Sequence, residues 1–232
     1  MSNFKKWIYR FIIVCVLLSC STQKKKTTIQ IPPGLVGLVG YGSLMSRQSM
    51  ESTLKRTYQD SIYLVHLEDF IREWSYICSN YDTSDPRTEL SKYDGYSIKG
   101  MDTLYIEKLI YMNIMPKANS KINCVLYFFS PEEITGFDKR EFGYERIDIT
   151  NMIEEYDFTG GNVYTFRATP EYTYNPDLDQ KGIIIDKAYV EKITTACDSI
   201  GLDFRKEFEE TTLPYNPDFV APIIWKKHTK II

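Results

Sequence analysis

The sequence predicts an α+β fold in which mixed strands form a small, strongly curved or closed β-barrel with a few flanking helices. Three observations favour this class. Short apolar or alternating runs recur along the chain, Tyr, which favours strands, occurs 18 times, and helical patterns are confined to a few segments. With 232 residues, 43% of them hydrophobic, the chain is large enough to bury a core without the support of a metal or a disulfide.

The first predicted strand is the apolar run at 35–41, which is followed by a glycine turn and a helical pattern at 45–54. A polar stretch at 80–104 contains Pro and Gly and indicates a long loop or insertion. Further strands are predicted at 61–70, 74–78, 109–115, 123–129, 144–149 and 163–168.

A helix is predicted to begin after Ser130, which can cap it, because Pro131 suits the first helical position and two acidic residues follow. Two more helices are predicted at 186–200 and 203–211, separated by Gly201. The strands outnumber the helices, which is typical of the α+β class.

Residues 1–20 predict an export signal. Basic residues precede an apolar run at 12–18, and the segment ends at Leu18, Ser19 and Cys20. This ending resembles a bacterial lipobox, in which Cys20 would be lipidated and become the new N-terminus. An uncleaved transmembrane anchor is the alternative, although the apolar run is shorter than the roughly 20 residues that a span needs.

The predicted organisation is a signal peptide at 1–20, a flexible tether at 21–33, one folded domain at 34–213 and a C-terminal tail at 214–232. The tether is polar and lacks hydrophobic periodicity. We therefore expect a lipid anchor that holds the protein at a bacterial cell envelope, with the membrane as a partner. The residue after Cys20 is a serine, which gives no obvious retention signal and favours the outer membrane.

The charge pattern argues against a nucleic-acid partner. The net charge is −3, and bases without any acid lie in the signal segment, so the remainder is more acidic still and has no basic stripe. The histidines and cysteines lack metal-ligand spacing, so we expect no metal and no other cofactor. Of the thiols at Cys78, Cys124 and Cys197, at least one stays unpaired, and a Cys78–Cys197 bridge remains open.

Two segments carry candidate chemistry. The first is the loop formed by Tyr41, Gly42, Ser43 and Leu44, where glycine lets the backbone approach a ligand closely and the following amides favour a carboxylate or an oxyanion. An ordinary strand-to-helix turn is the alternative for this loop.

The second segment runs from a helix end into a strand and contains Glu141 and Tyr144. Its alternative interpretation is a solvated helix end, held by an Asp138–Arg140 or a Glu141–Arg146 ion pair that contributes little. Neither segment alone establishes a site.

Together, however, the two segments resemble in order the gamma-glutamylcyclotransferase-like (AIG2-like) family. The loop at 41–44 is similar to the opening of these proteins, and the later Asp-x-x-Glu-x-x-Tyr-x-Arg stretch at 138–146 is similar to their acidic segment. The resemblance covers residues 35–212. Its further segments lie at 111–116, 125–127 and 189–204.

The resemblance implies a gamma-glutamylcyclotransferase-like fold and an enzyme that closes the γ-glutamyl group of a small amine or peptide to 5-oxoproline and releases the amine. It implies Glu141 as the group that transfers protons. It also implies a substrate-binding surface built from Tyr41, Gly42, Ser43, Leu44 and Tyr144. The reaction needs neither a nucleophile from the protein nor a metal.

Two further functions remain open. The same cleft can capture a small γ-glutamyl or acidic ligand without turnover, as a non-catalytic binding protein of the envelope, because fold alone does not decide activity. A scaffold role that uses the segment at 80–108 is the third alternative. That segment is longer than the usual connection in the family, and Asn123 and Cys124 stand where the family often has a glycine, so the substrate stays open.

Overall fold

The computed structural model describes residues 26–79, 93–99, 101–179 and 181–227. The predicted signal peptide with Cys20, the first part of the tether and the last residues of the tail lie outside this described part. None of the helices in the described residues combines the length and apolarity that crossing a bilayer requires.

The main sheet is built around β6 (Lys108–Phe129), a strand of 22 residues. One edge of β6 pairs antiparallel with β3 (Tyr63–Ser79), and its other edge pairs with β2 (Val36–Gly40) and with β10 (Ile183–Asp186). The sheet is completed by β9 (Val163–Ala168), β7 (Tyr144–Asp148) and β11 (Val220–Ala221).

The strand order of this sheet is β11-β10-β6-β2-β9-β7, with β3 also on β6. Parallel pairs (β2 with β9, β10 with β6) stand beside antiparallel ones, and helices flank the sheet. The predicted α+β class is therefore confirmed. Among the described residues β11 and β7 do not pair, so the sheet stays open and the closed alternative is not formed.

Two small sheets complete the strands. β1 (Thr27–Gln30) pairs parallel with β8 (Tyr156–Thr159). β4 (Tyr93–Lys99) lies between β5 (Asp102–Tyr105) and β12 (Ile224–Lys227). Much of the stretch predicted as a loop at 80–104 is thus a hairpin, while its first part lies outside the described residues.

The helices are α1 (Arg47–Leu54), α2 (Pro131–Arg140), α3 (Lys187–Ile200) and α4 (Leu202–Glu210). The cap predicted at Ser130 is present: its hydroxyl accepts a hydrogen bond from the amide of Glu133, and the Glu133 carboxylate accepts one from the Ser130 amide. This reciprocal arrangement satisfies two donors that a helix start leaves without partners.

Both long strands were predicted as pairs of shorter ones. The segments at 61–70 and 74–78 merge into β3, whose register shifts between Glu68 and Phe70 and between Trp74 and Tyr76. The segments at 109–115 and 123–129 merge into β6, whose middle is exposed. The ladder with β3 passes from Pro116 directly to Lys121, so residues 117–120 form an irregularity that has no ladder partner on β3.

The ordered part of the chain extends beyond the predicted domain at 34–213. Residues 27–30, predicted to be flexible tether, form β1, and the side chain of Ile31 is 1% exposed. Residues of the predicted tail form β11 and β12. Burial of Ile31 and strand pairing therefore place both flanks inside the fold.

The three cysteines of the described residues, Cys78, Cys124 and Cys197, are buried, and none of them is bonded to another of the three. The bridge between Cys78 and Cys197 is not formed. Cys78 packs in a small cluster with Tyr76 and Leu109, whereas Cys197 belongs to the main core.

Candidate active site

The loop predicted as the first part of the site follows β2. The chain passes Gly42 and enters a short 3-10 segment, Ser43–Met45, before α1 begins. A Cβ added to Gly42 would lie 3.2 Å from the Cβ of Met112 on β6, closer than ordinary van der Waals contact. A side chain at Gly42 would require Met112 to shift by a few tenths of an ångström, so glycine lets the loop backbone lie close to β6.

The loop backbone is arranged as a turn. The amide of Met45 donates to the Gly42 carbonyl at 2.9 Å, and the amide of Ser46 donates to the Ser43 carbonyl at 3.2 Å. Among the described residues the amides of Gly42, Ser43 and Leu44 have no backbone acceptor. Donors of this kind are suited to an anionic group of a ligand.

The candidate acid Glu141 lies at the end of α2. Its amide donates to the carbonyl of Phe137 at 2.8 Å, so the residue caps the helix. Its carbonyl accepts from the amide of Tyr144 at 3.0 Å, which closes a turn into β7. The side chain is 15% exposed, so the carboxylate is largely sheltered from solvent.

The turn after Glu141 is held by aromatic packing. Gly143 has a φ of 80°, and a Cβ there would lie 2.7 Å from a ring carbon of Tyr172 and 2.8 Å from the Tyr76 hydroxyl. That hydroxyl donates to the Phe142 carbonyl at 2.6 Å. The ring of Tyr76 stacks on Tyr144 with centroids 4.2 Å apart, which fixes the exit of the turn.

The loop and Glu141 face one pocket. It lies between the end of β2, the start of α3 and the turn before β7, and it measures about 300 Å³ including the part open to solvent. That volume is at the small end for small-molecule sites. All six predicted site residues line it: Tyr41, Gly42, Ser43, Leu44, Glu141 and Tyr144.

Five further residues complete the pocket wall, and two of them, Val39 and Gly40, come from β2. Tyr189 comes from α3, Met112 from β6 and Phe166 from β9. Tyr189 lies in the segment at 189–204, which resembles the family. That resemblance could have identified it as a site residue. Met112 and Phe166 occupy ordinary strand patterns, and nothing in the sequence distinguishes them from other core residues.

Three phenols surround the carboxylate. Burial, followed by the charge of Glu141, raises the pKa of Tyr189 to about 12. Burial also raises the pKa of Tyr41 and Tyr144, and the charge of Glu141 adds to both shifts. These hydroxyls therefore stay protonated at neutral pH and can donate hydrogen bonds, as Tyr144 does to the carbonyl of Met112 at 2.7 Å.

The ion pairs differ from both predicted ones. The Nε of Arg140 lies 2.9 Å from Oε1 of Glu141, whereas Arg146 pairs with Asp138 at 3.2 Å. Adjacent residues meet here because Glu141 leaves the helix, which turns its side chain toward the guanidinium. The alternative of a solvated helix end does not describe Glu141.

A second polar cluster lies away from this pocket. His66 and the glutamates Glu154 and Glu155 are close enough to share a cation. Both ring nitrogens of His66 already contact carboxylates, Nδ1 that of Glu155 and Nε2 that of Glu207 at 2.7 Å. Two acceptors on one imidazole match a protonated ring that donates from both nitrogens, so the contacts form an ion-pair network.

No family model and no curated protein matches the sequence. Solved structures of similar shape are found. One, named gamma-glutamyl cyclotransferase, is 12% identical with a TM-score of 0.49, covering 81% of this chain and 94% of that chain. A human protein described as uncharacterized is 13% identical with a TM-score of 0.48, covering 79% of this chain and 92% of that one. An Arabidopsis thaliana protein is 17% identical with a TM-score of 0.37, covering 65% of this chain and 78% of that one.

Proposed function

We propose that the protein is a gamma-glutamylcyclotransferase-like enzyme that converts a small γ-glutamyl amine or peptide into 5-oxoproline and a free amine. The observation that carries the proposal is the meeting of Glu141 with the loop at 41–44 in one sheltered pocket. The two segments lie about a hundred residues apart in the sequence, and their motifs alone predict that they form one site.

The reaction is an internal displacement. The α-amine of the substrate attacks its own γ-carbonyl carbon, a C–N bond forms in the ring, and the bond to the leaving nitrogen breaks. The substrate supplies its own nucleophile, so the protein must hold the glutamyl chain folded on itself, which supplies much of the rate by orientation.

In the proposed mechanism Glu141 moves the protons. The α-ammonium must lose a proton before it attacks, and the leaving nitrogen must gain one. A single carboxylate within hydrogen-bond reach of both nitrogens performs both transfers, as base and then as acid. Its shelter from solvent, with 15% of the side chain exposed, strengthens its interaction with the substrate ammonium.

The loop binds the rest of the substrate in this proposal. The amides of Gly42, Ser43 and Leu44 would hold the α-carboxylate or the oxyanion that develops on the γ-carbonyl. Tyr41 and Tyr144 would line the cleft, their protonated hydroxyls beside the carboxylate of Glu141. The pocket of about 300 Å³ includes space open to solvent, so the leaving amine of the substrate would lie toward its open mouth.

The chemistry restricts the substrate. The attacking amine must be free, so a γ-linked glutamate whose α-amine is acylated, as in an intact peptidoglycan stem, cannot react. The remaining candidate substrates are free γ-glutamyl peptides and amines, and fragments with a freed glutamyl N-terminus. The identity of the leaving amine is the open part of the proposal.

The test is release of 5-oxoproline from a panel of γ-glutamyl amines and from the same compounds with an acetylated α-amine. Wild type is expected to act on at least one free-amine member and on no acetylated one. Glu141→Gln is expected to lower the rate at least about 100-fold, the usual contribution of a general acid–base group.

The matched control is Glu145→Gln, which removes a carboxylate from the neighbouring strand β7, where Glu145 pairs with Arg167 at the surface. It should retain wild-type rates. Equal activity of Glu141→Gln and wild type would remove Glu141 from the chemistry. Calorimetric binding without product, unaffected by Glu141→Gln, would favour the non-catalytic binding protein instead.

We further propose that Cys20 carries a lipid that holds the protein at a bacterial cell envelope, in the outer membrane. The lipobox-like ending at Cys20 supports this localisation. Expression of the full chain with a labelled fatty acid should label wild type and not Cys20→Ala. Labelling of both proteins would exclude this anchor.

A further inference from the structure

The guanidinium of Arg140 contacts both halves of the proposed site. Its Nε lies 2.9 Å from Oε1 of Glu141. Its Nη2 donates to the hydroxyl of Ser43 in the loop at 2.9 Å. A single side chain therefore joins the candidate acid to the candidate binding loop.

The same guanidinium is anchored to α1. Nη1 donates to the Ser49 carbonyl at 2.7 Å and to the Thr53 hydroxyl at 2.8 Å, and Nη2 also donates to the Ser49 hydroxyl at 3.0 Å. Contacts in several directions use the planar fork of arginine, which a lysine ammonium does not reproduce. These hydrogen bonds hold the Arg140 guanidinium in one orientation, unlike a surface arginine that makes only one ion pair.

The surroundings let this charge act on Glu141. The side chain of Arg140 is 23% exposed and that of Glu141 15% exposed, so solvent screens the pair less than it screens a surface pair. The groups that face Glu141 from the packed elements are the phenols of Tyr41 in the loop, Tyr144 on β7 and Tyr189 on α3. All three phenols are neutral at working pH, and Arg140 is a cation in direct contact with Glu141.

We infer that Arg140 is a positioning residue, which orients the Glu141 carboxylate toward the loop at 41–44 and favours its ionised form through their ion pair. An ionised Glu141 is the form that can accept a proton from the substrate ammonium. This role rests on the proposed function for its catalytic meaning, whereas the coupling of Arg140 to Glu141 and Ser43 does not depend on it.

The first test needs no substrate. The titration of the Glu141 carboxyl carbon is followed by NMR in the full chain with ¹³C-labelled glutamate, the signal being identified by its loss in Glu141→Gln. Arg140→Gln should raise the midpoint of this titration by about one to two pH units, the effect of removing an adjacent cation. Arg140→Lys, which keeps a charge, should raise it less.

The matched control is Arg167→Gln, which removes the partner of Glu145 at 3.1 Å on the other strand of the β7–β9 pair. It should leave the Glu141 midpoint unchanged. An unchanged midpoint in Arg140→Gln, in a variant whose amide spectrum shows that it is folded, would overturn the inference whether or not the protein is an enzyme.

The second test uses 5-oxoproline release. In Arg140→Gln the acidic limb of the pH profile of kcat/KM should move to higher pH by the same interval as the NMR midpoint. A lower rate with an unmoved acidic limb would mean a purely structural role and would contradict the inference. A moved NMR midpoint in a protein that releases no 5-oxoproline would reject the proposed function while the coupling stands.

Discussion

At the scale of single residues, the position of Glu141 depends on the glycine two places further on. Gly143 takes a φ of 80° and packs with no space for a side chain between Tyr172 and Tyr76. The turn that it makes directs the Glu141 side chain back toward Arg140 and the loop. A conformation with positive φ costs an L-residue about 1–2 kcal/mol, and the absence of space adds a packing cost.

We therefore predict that Gly143→Ala lowers the free energy of unfolding by about 2–4 kcal/mol, from the left-handed conformation together with overpacking. Gly34→Ala is the matched control, because Gly34 has a φ of 79° but nothing within 4 Å of an added Cβ. It should lose only about 1–2 kcal/mol. Urea unfolding measures the free energy of unfolding of both variants. Equal losses of stability would show that the packing between the tyrosines contributes nothing.

His66 gives a prediction on pH. Its hydrogen bond with Glu155 raises the pKa of His66, burial opposes this, and the charge of Glu207 adds to the rise. Because the pKa in the folded protein is raised, the stabilisation is fully present below the unfolded value of about 6.5 and is lost as pH rises through the folded value.

Wild type should therefore be more stable than His66→Asn by about 1 kcal/mol near pH 6, and the difference should shrink toward pH 9. Urea unfolding of both proteins across this range measures it. Burial raises the pKa of Glu155, but hydrogen bonds from His66 lower it overall, so Glu155's own contribution should fade only below about pH 4.5. A difference that grows between pH 6 and 9 would contradict the assigned contacts.

Single residues also mark the limit of what could be predicted. The loop and Glu141 were found because each carries a short motif in a recognisable order. The alternative interpretation of this segment offered Asp138 as a partner of Arg140, and the structure pairs Arg140 with Glu141. Which carboxylate an arginine meets depends on where the helix ends and on the loop opposite, and a local sequence pattern contains neither.

At the scale of elements, α2 carries the acid. The helix begins with a capping box formed by Ser130 and Glu133 and ends at Arg140, one residue before Glu141. Ile134 and Phe137 are its buried residues and face the core. The two capping residues, Ser130 and Glu133, precede the acid by eleven and eight positions, so the effect of the cap on stability can be separated from effects on the site.

Ser130→Ala should lower the free energy of unfolding by about 1 kcal/mol, the usual cost of losing an N-cap. Ser130→Asn, which keeps an oxygen that can cap, should lose much less. Thermal unfolding compares the two variants, and 5-oxoproline release should remain close to wild type in both. Equal stability of Ser130→Ala and wild type would mean that the capping hydrogen bonds are not formed in solution.

Element prediction succeeded where a pattern was long or capped. The four helices and the strand at 163–168 were found, whereas the four-residue strands β1, β8 and β10 were not. Four residues give too few positions to reveal a period. These strands exist because a partner strand offers free hydrogen-bonding groups, which is information that only the assembled sheet contains.

At the scale of the whole molecule, the site is placed by strands that are distant in sequence. β2 lies between β6 and β9, and β9 pairs with β7. The loop leaves the end of β2 and Glu141 precedes the start of β7, so their distance is set by the width of this sheet. The mixed fold class was predictable from composition and pattern, but the strand order that brings the two together was not.

The ordered N-terminal flank gives a prediction at this scale. A chain that starts at residue 34, without β1 and Ile31, should unfold at a lower urea concentration than one that starts at residue 21. Its free energy of unfolding should be lower by about 2–4 kcal/mol, because the buried side chain and the strand are lost. Indistinguishable midpoints would show that β1 adds nothing to the fold and that the predicted tether extends to residue 33.

The central claim is that Glu141 and the loop at 41–44 bind and cyclise one γ-glutamyl group. A structure of the protein with bound 5-oxoproline tests it most directly. The carboxylate of 5-oxoproline should lie about 3 Å from the amides of Gly42, Ser43 or Leu44. The lactam nitrogen should lie within hydrogen-bond reach of Glu141. Binding of 5-oxoproline elsewhere, or in this pocket with the lactam turned away from Glu141, would contradict it.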